Sequence, residues 1–345
     1  MSKVVFLNVK HEPNGVQNTV ERALDMLDWK KLIKGNKIFV KVNLISSEFV
    51  VGQCTSPLVL DGVFSVLHNN GFDVVFGDAN LAASKQCNQA AEAWGHQKLG
   101  EKYGFRFQNL SEDAMEEVPI KGKIFDTLDV PRCVLEADTI ISVPVMKTHC
   151  LTSITCALKH FWGVVPRVRH QYHLVVDEAI ADINQFLHPK LAFSLVDGTV
   201  CMEGDGPRTG TPKICDTILA SHDSVALDTT VADYMNFATP LHVKVAEERG
   251  LGTTKVELIG DDFAPNPFSP AQPDRQPIFF WEMGLRKSFL KPLLFDTPIF
   301  SVLAWVATKY NTLYYYHRYG KKYAEEVMST WYGEEINKLL HSEKR

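Results

Sequence analysis

The sequence has no cysteine framework, no excess of basic charge and no apolar run long enough for a membrane span, and each absence removes a class of protein. Its seven cysteines are odd in number, scattered, and contain no C-x-x-C pair. They read as reduced thiols of a cytosol-like compartment, which makes cytoplasmic the expected location. The formal net charge is -5, so electrostatics gives no reason to expect nucleic acid as a partner. Met1 to Val9 carries one lysine and no small-residue cleavage site after its apolar run, and reads as a first β-strand rather than a leader. The longest charge-free C-terminal stretch, Thr297–Thr308, falls well short of the roughly 20 residues a spanning helix needs. Nothing of fixed period repeats.

What is present is an ordinary globular composition, 45% hydrophobic and 22% charged over 345 residues. Short β-branched runs alternate with helical patterns. The runs are Val4–Val9, Lys37–Leu44, Asp73–Asp78, Thr139–Val145 and Phe193–Val196, with weaker ones at Asp216–Ala220 and Val256–Ile259. Between them lie Val16–Leu32, Leu58–Asn70, Asn88–Tyr103, Thr152–Trp162, Asp177–Leu187, Ser224–Phe237 and Leu241–Glu248. This alternation predicts an α/β fold with a mostly parallel sheet flanked by helices. Apolar strands such as IISVPV fit, because parallel strands are buried on both faces. The α/β domain is read as residues 1–262. A proline-rich linker or surface arm follows at 263–278, and then a helical, aromatic-rich C-terminal extension at 279–345.

Ligands of open parallel sheets bind outside the carboxyl ends of the strands, so the residues following each run are the informative ones. They include Lys41 and Asn43, Asp78, Lys147 with His149, and Asp197. Turn and capping chemistry accounts for Asp and Asn there, but not for Lys41 or Lys147. After Lys147-Thr148-His149 the pattern predicts a helix capped by Thr152, with Thr155 and Lys159 on its polar face and its first N–H groups beside the two cations. Lys41, Asn43, Asp78, Thr155, Lys159, Asp197 and Arg208 are thus expected to bind a small anion. His149, Lys147 and Glu203 are the candidate catalytic residues, His149 as general acid/base at neutral pH. The glycine-rich loop Met202–Gly210 is neither a Walker loop nor a dinucleotide fingerprint. It reads as a flap bringing Glu203 and Arg208 over the strand ends. His149, His170 and His173 are the candidates for a transition metal, although no zinc spacing is present.

Taken in order, VKVN around Lys41–Asn43, GDAN at Gly77–Asn80, VPVMKTHCLTSITCALKHFWGVVP at Val143–Pro166, LVDGTVCMEGDGPRTG at Leu195–Gly210 and SHDSVALD at Ser221–Asp228 resemble the family known as domain of unknown function 362 (DUF362), over about residues 37–237. The resemblance implies an α/β fold and no settled reaction. Many members carry Asn where this chain has His160. Some carry a fused ferredoxin-like C-x-x-C-x-x-C segment, which is missing here, so no iron–sulfur cluster is expected. The family is also distantly similar to the N-terminal part of nickel-dependent lactate racemase, which implies metal-assisted chemistry on small hydroxy acids by analogy of fold. Three roles therefore stay open. One is an enzyme acting on a small anionic metabolite, one a non-catalytic metal or ligand carrier, and one a membrane-surface or partner-docking role centred on the C-terminal aromatics, although those aromatics are expected rather to form a helical cover whose charges reach to water.

Overall fold

The computed structural model describes residues 1–81, 85–165, 169–272, 283–289, 297 and 299–341, with the side chains of residues 169 and 170 outside that description. A sheet runs in the order β12 (Val256–Gly260), β1 (Ser2–Asn8), β11 (Thr211–Ser221), β10 (Leu191–Glu203), β7 (Thr139–Ser142), β2 (Lys37–Lys41), β3 (Asp73–Asp78), β4 (Arg106–Asn109). From β10 to β4 every neighbouring pair is parallel, as is β1 with β12. β11 is antiparallel to both of its neighbours. A branch leaves the main path: β8 (Val145–His149) pairs parallel with β10 and antiparallel with the short β9 (Ser153–Thr155). A separate hairpin joins β5 (Met115–Pro119) and β6 (Thr127–Pro131).

The strands are apolar on both sides because both faces are covered. In β2, Ile38 and Val40 enter one apolar cluster while Phe39 between them enters another. Ile140 and Ile141 of β7 divide in the same way. Successive side chains of a strand point to opposite faces, so this is the signature of a sheet packed on two sides. Helices α1 (Gly15–Met26) and α2 (Pro57–Asn69) belong to the first cluster, and α7 (Val176–Leu187) and α9 (Leu241–Glu248) to the second.

Several elements depart from the pattern read in the sequence. The helix expected over Asn88–Tyr103 is broken into α3 (Cys87–Ala93) and α4 (His96–Tyr103) by Gly95 at φ +71. The first helix stops at Met26, and Asp28 at φ 54 turns the chain. The run Thr139–Val145 is two strands, since Val143-Pro144 ends β7 and β8 starts at Val145. The largest difference follows it. The helix expected from Thr152 is a strand there, with Ser153 at φ 62, and helix α6 spans only Ala157–His160. Thr152 does not cap it, because its hydroxyl donates to the Ile154 carbonyl at 2.8 Å. The cap is remote: the Asp228 carboxylate accepts from the N–H groups of Ala157 (2.7 Å) and Leu158 (3.0 Å). An anion site at that helix start is therefore ruled out by Asp228.

The first part of the proline-rich stretch is an arm on the surface. Asn266 and Phe268 donate their N–H groups to the carbonyls of Tyr234 and Met235, and Phe268 is buried. Pro273 and Pro277 lie outside the described residues. The C-terminal helices are of two kinds. Trp331–His341 docks on the first cluster through Tyr332 and Ile336, with Trp331 stacked on His11 at 4.7 Å. The helix Ile299–Lys309, continued in π-type geometry over Tyr310–Gly320, covers Ala304 and Tyr315 but leaves Trp305, Tyr310 and Tyr314 exposed. The aromatics of the extension are thus only partly covered.

Candidate functional site

β2, β3 and β7 are parallel and in register, so Lys41, Asp78 and Ser142 emerge at the same edge, with Lys41 opposite Gly77 on one side and Ser142 on the other. Lys41 is fully buried, and its ammonium lies 2.7 Å from the Asp78 carboxylate. It also donates to the Val42 carbonyl at 2.8 Å. Asp78 is held from behind: its two oxygens accept the N–H groups of Leu44 (2.8 Å) and Ala79 (2.7 Å). A buried carboxylate with two backbone donors and one ammonium is a satisfied, rigid anion.

His160, which sequence reasoning left out of the site, closes this group. Its Nδ1 is 2.9 Å from the Ser142 hydroxyl, and its Nε2 is 3.0 Å from the Val42 carbonyl and 3.3 Å from the Lys41 ammonium. Burial, and then the Lys41 charge, hold its pKa well below the ordinary histidine value, so the ring is neutral. In one neutral tautomer Nδ1 accepts from Ser142 and Nε2–H donates to Val42; in the other Nδ1–H donates to Ser142 and Nε2 accepts from Lys41.

Gly163 packs against the pair. A Cβ there would lie 2.6 Å from Asp78 Oδ1 and 2.9 Å from Lys41 Nζ. Asp78 cannot retreat, because its oxygens are tied to backbone. Gly163→Ala is therefore expected to cost about 1–3 kcal/mol, as for other overpacked interiors. Chemical denaturation of the two proteins checks this, and an unchanged midpoint would contradict it.

Lys147 stands one branch further along, on β8 opposite Thr155 of β9 and beside Met202 of β10. It was expected just beyond a strand. It lies inside one and is fully buried. Its ammonium donates to the Asn43 side-chain oxygen and, at 2.7 Å, to the Gln53 carbonyl. Burial pushes its pKa down to about 7. Two residues along the same strand, and so on the same side, sits His149. Its Nδ1 accepts the N–H of Leu151 at 3.0 Å, which puts the proton of the neutral ring on Nε2.

Lys41, Asn43, Asp78, Lys147, His149, Thr155, Lys159 and Arg208 all line one cavity of about 300 Å³, together with His160 and His173. The Thr155 hydroxyl is buried in that wall with no partner among the described residues. Arg208, on the glycine-rich turn between β10 and β11, is half-buried, and burial lowers its pKa somewhat against the opposing pull of Glu48. Its own carbonyl accepts from Gln53 Nε2 at 2.6 Å, which fixes the turn over the strand ends. One wall of the cavity was not foreseen. Phe300, Leu303, Ala304 and Ala307, at helical spacing i, i+3, i+4 and i+7, lay an apolar face of the C-terminal helix over it.

Two expected members are placed elsewhere. Asp197 is a structural anchor: one oxygen accepts the N–H of Ser56 at the start of α2 (2.7 Å), and the other accepts the Thr199 N–H and hydroxyl. Burial raises its pKa. Glu203 does not reach the cavity wall. Its carboxylate lies against the Lys213 ammonium (3.4 Å) and accepts the N–H of Ser269 (3.0 Å), because β10 runs on to Glu203 and carries it into the hairpin. Of the metal candidates, His149 and His173 line the cavity, and the side chain of His170 lies outside those described. Among the described residues no three His, Cys, Asp or Glu are grouped as metal ligands.

The chain is similar to the thylakoid-associated protein sll1697 of Synechocystis sp., 27% identical over 243 residues, which cover 65% of this chain and 71% of that protein. In structure it is similar to the lactate racemase apoprotein of Thermoanaerobacterium thermosaccharolyticum, with a TM-score of 0.45 and 15% identity, over 68% of this chain and 58% of the racemase. The model of the domain of unknown function (DUF362) matches residues 38–233, more than half of the sequence, and the protein belongs to that family.

Proposed function

We propose that the protein binds a small organic anion in the cavity at the strand ends and moves a proton on it. The observation that carries this is the convergence on one 300 Å³ cavity of Lys147, with a pKa of about 7, the cationic side chains of Lys159 and Arg208, His149, and the Thr155 hydroxyl, which has no partner among the described residues. Buried cations that face a cavity are well suited to a carboxylate or phosphate, because desolvated charge-assisted hydrogen bonds are the strong ones. Lys41 serves differently: its charge is matched by Asp78, and the pair sets the floor of the cavity. A lysine whose pKa burial lowers to about 7 is matched to proton transfer at neutral pH, and His149 stands on the same strand face as a second polar group. The apolar roof of Phe300 and Leu303 suits a ligand with a short hydrocarbon part.

A thermal-shift screen of short-chain carboxylates, hydroxy acids and phosphate monoesters tests the reading on the intact chain. Hits are expected to weaken by roughly 1.5–3 kcal/mol in Lys147→Met or Arg208→Met. An anion that stabilises the parent and both variants equally binds elsewhere, and a screen without hits would remove the proposal.

A further inference from the structure

The roof helix has a second face. Opposite the residues that line the cavity, Val302, Trp305, Val306, Tyr310, Leu313 and Tyr314 form a stripe, each between 40% and 63% exposed. Large apolar side chains exposed in such continuity mark a contact surface. Charge identifies the occupant. The chain is acidic overall, yet from Ile299 to Ala324 it contains no Asp or Glu, and Lys309 and Arg318 lie within or beside the stripe; Lys321 and Lys322, at its end, stand 3.9 and 3.6 Å from Glu325 and Glu326 in exposed pairs that are worth little and that lipid phosphate can replace. Lys309 stands 5.8 Å over the Trp305 ring and Arg318 6.0 Å over that of Tyr319. No helix among the described residues is long and apolar enough to cross a membrane. A helix with one apolar-aromatic face and flanking cations is instead suited to lie in the plane of a bilayer surface. A second copy of the chain packed stripe to stripe would bring the same acid-free segment, Ile299 to Ala324, with no carboxylate in it to meet Lys309 or Arg318.

We propose that this stripe docks the protein on an anionic lipid surface, its aromatic and aliphatic side chains at the headgroup boundary and its cations on the lipid phosphates. The inference is independent of what occupies the cavity. The test is co-sedimentation of the full chain with phosphatidylglycerol/phosphatidylcholine vesicles and with phosphatidylcholine vesicles. The protein is expected to bind the anionic vesicles more tightly, by about five-fold per cation engaged, and to lose that advantage at high salt. Trp305→Ser/Leu313→Ser is expected to abolish binding with an unchanged melting temperature, because both positions are exposed. Arg318→Gln/Lys321→Gln is expected to weaken binding to anionic vesicles alone, by about 25-fold. No binding to either vesicle, or binding that survives Trp305→Ser/Leu313→Ser, overturns the proposal. So does a dimer in light scattering that these substitutions convert to monomer without any vesicle binding.

Discussion

Asp78→Ala is expected to destabilise the protein by about 3–5 kcal/mol, the cost of leaving a buried charge without its partner. The Lys41 ammonium would keep the Val42 carbonyl but lose its counter-charge, and the N–H groups of Leu44 and Ala79 would lose their acceptor. Adding Lys41→Met to Asp78→Ala should restore a substantial part of the loss, since the uncompensated charge is then gone. The two backbone N–H groups remain orphaned, so recovery is incomplete. Urea denaturation of the single and double variants measures both effects. A double variant no more stable than Asp78→Ala would show that the lost carboxylate acts through the backbone it caps and not through the ion pair.

Lys147→Met has an effect whose sign depends on pH. The folded-state pKa is about 7, against 10.5 for an ordinary lysine. Between those values the unfolded chain binds the proton and the folded chain does not, so the contribution of Lys147 to stability rises with pH across that window. Below pH 7 both states are protonated and the folded protein carries the full penalty of burying the charge, on the order of 3–5 kcal/mol. Methionine removes that penalty but strands the Gln53 carbonyl and the Asn43 amide oxygen, a loss of about 1–3 kcal/mol for each group that stays unsatisfied. At pH 6 the variant should therefore match or exceed the parent. At pH 10 it should be the less stable of the two. Denaturation curves across this range decide it: a difference that does not vary with pH means that Lys147 stays charged throughout.

Why Lys41 and Lys147 stood out in the sequence is now physical. Turn chemistry had no use for lysine at a strand end, and the fold buries both. Asp73–Asp78 and Leu241–Glu248 were legible to the residue, the one a short apolar strand that Gly71 at φ +74 precedes, the other a helix led in by Pro240. β9 was not legible, because Ile154, Ala157, Leu158 and Phe161 fall at helical spacing. The strand there is imposed from outside, by pairing with Lys147–His149 and by Asp228, 71 residues beyond Ala157 in sequence. β10 was read as four residues and is thirteen long, since Gly198 and the polar residues near Glu203 look like loop until β11 pairs with them. The apolar roof depends on where the C-terminal helix docks. In the sequence that segment reads only as helical and aromatic-rich, with nothing to say that Phe300, Leu303 and Ala307 face the cavity.

The central claim is that a small anion sits against protonated Lys147, and calorimetric titration with the best carboxylate from the screen tests it most directly at pH 6 and pH 9. A carboxylate stays ionised over that range, so any pH dependence belongs to the protein. With Lys147 titrating near 7, affinity for the intact protein should fall by at least about ten-fold from pH 6 to pH 9, and in Lys147→Met it should be weak and flat. Equal affinity at the two pH values, or the same pH dependence in Lys147→Met, would contradict the account.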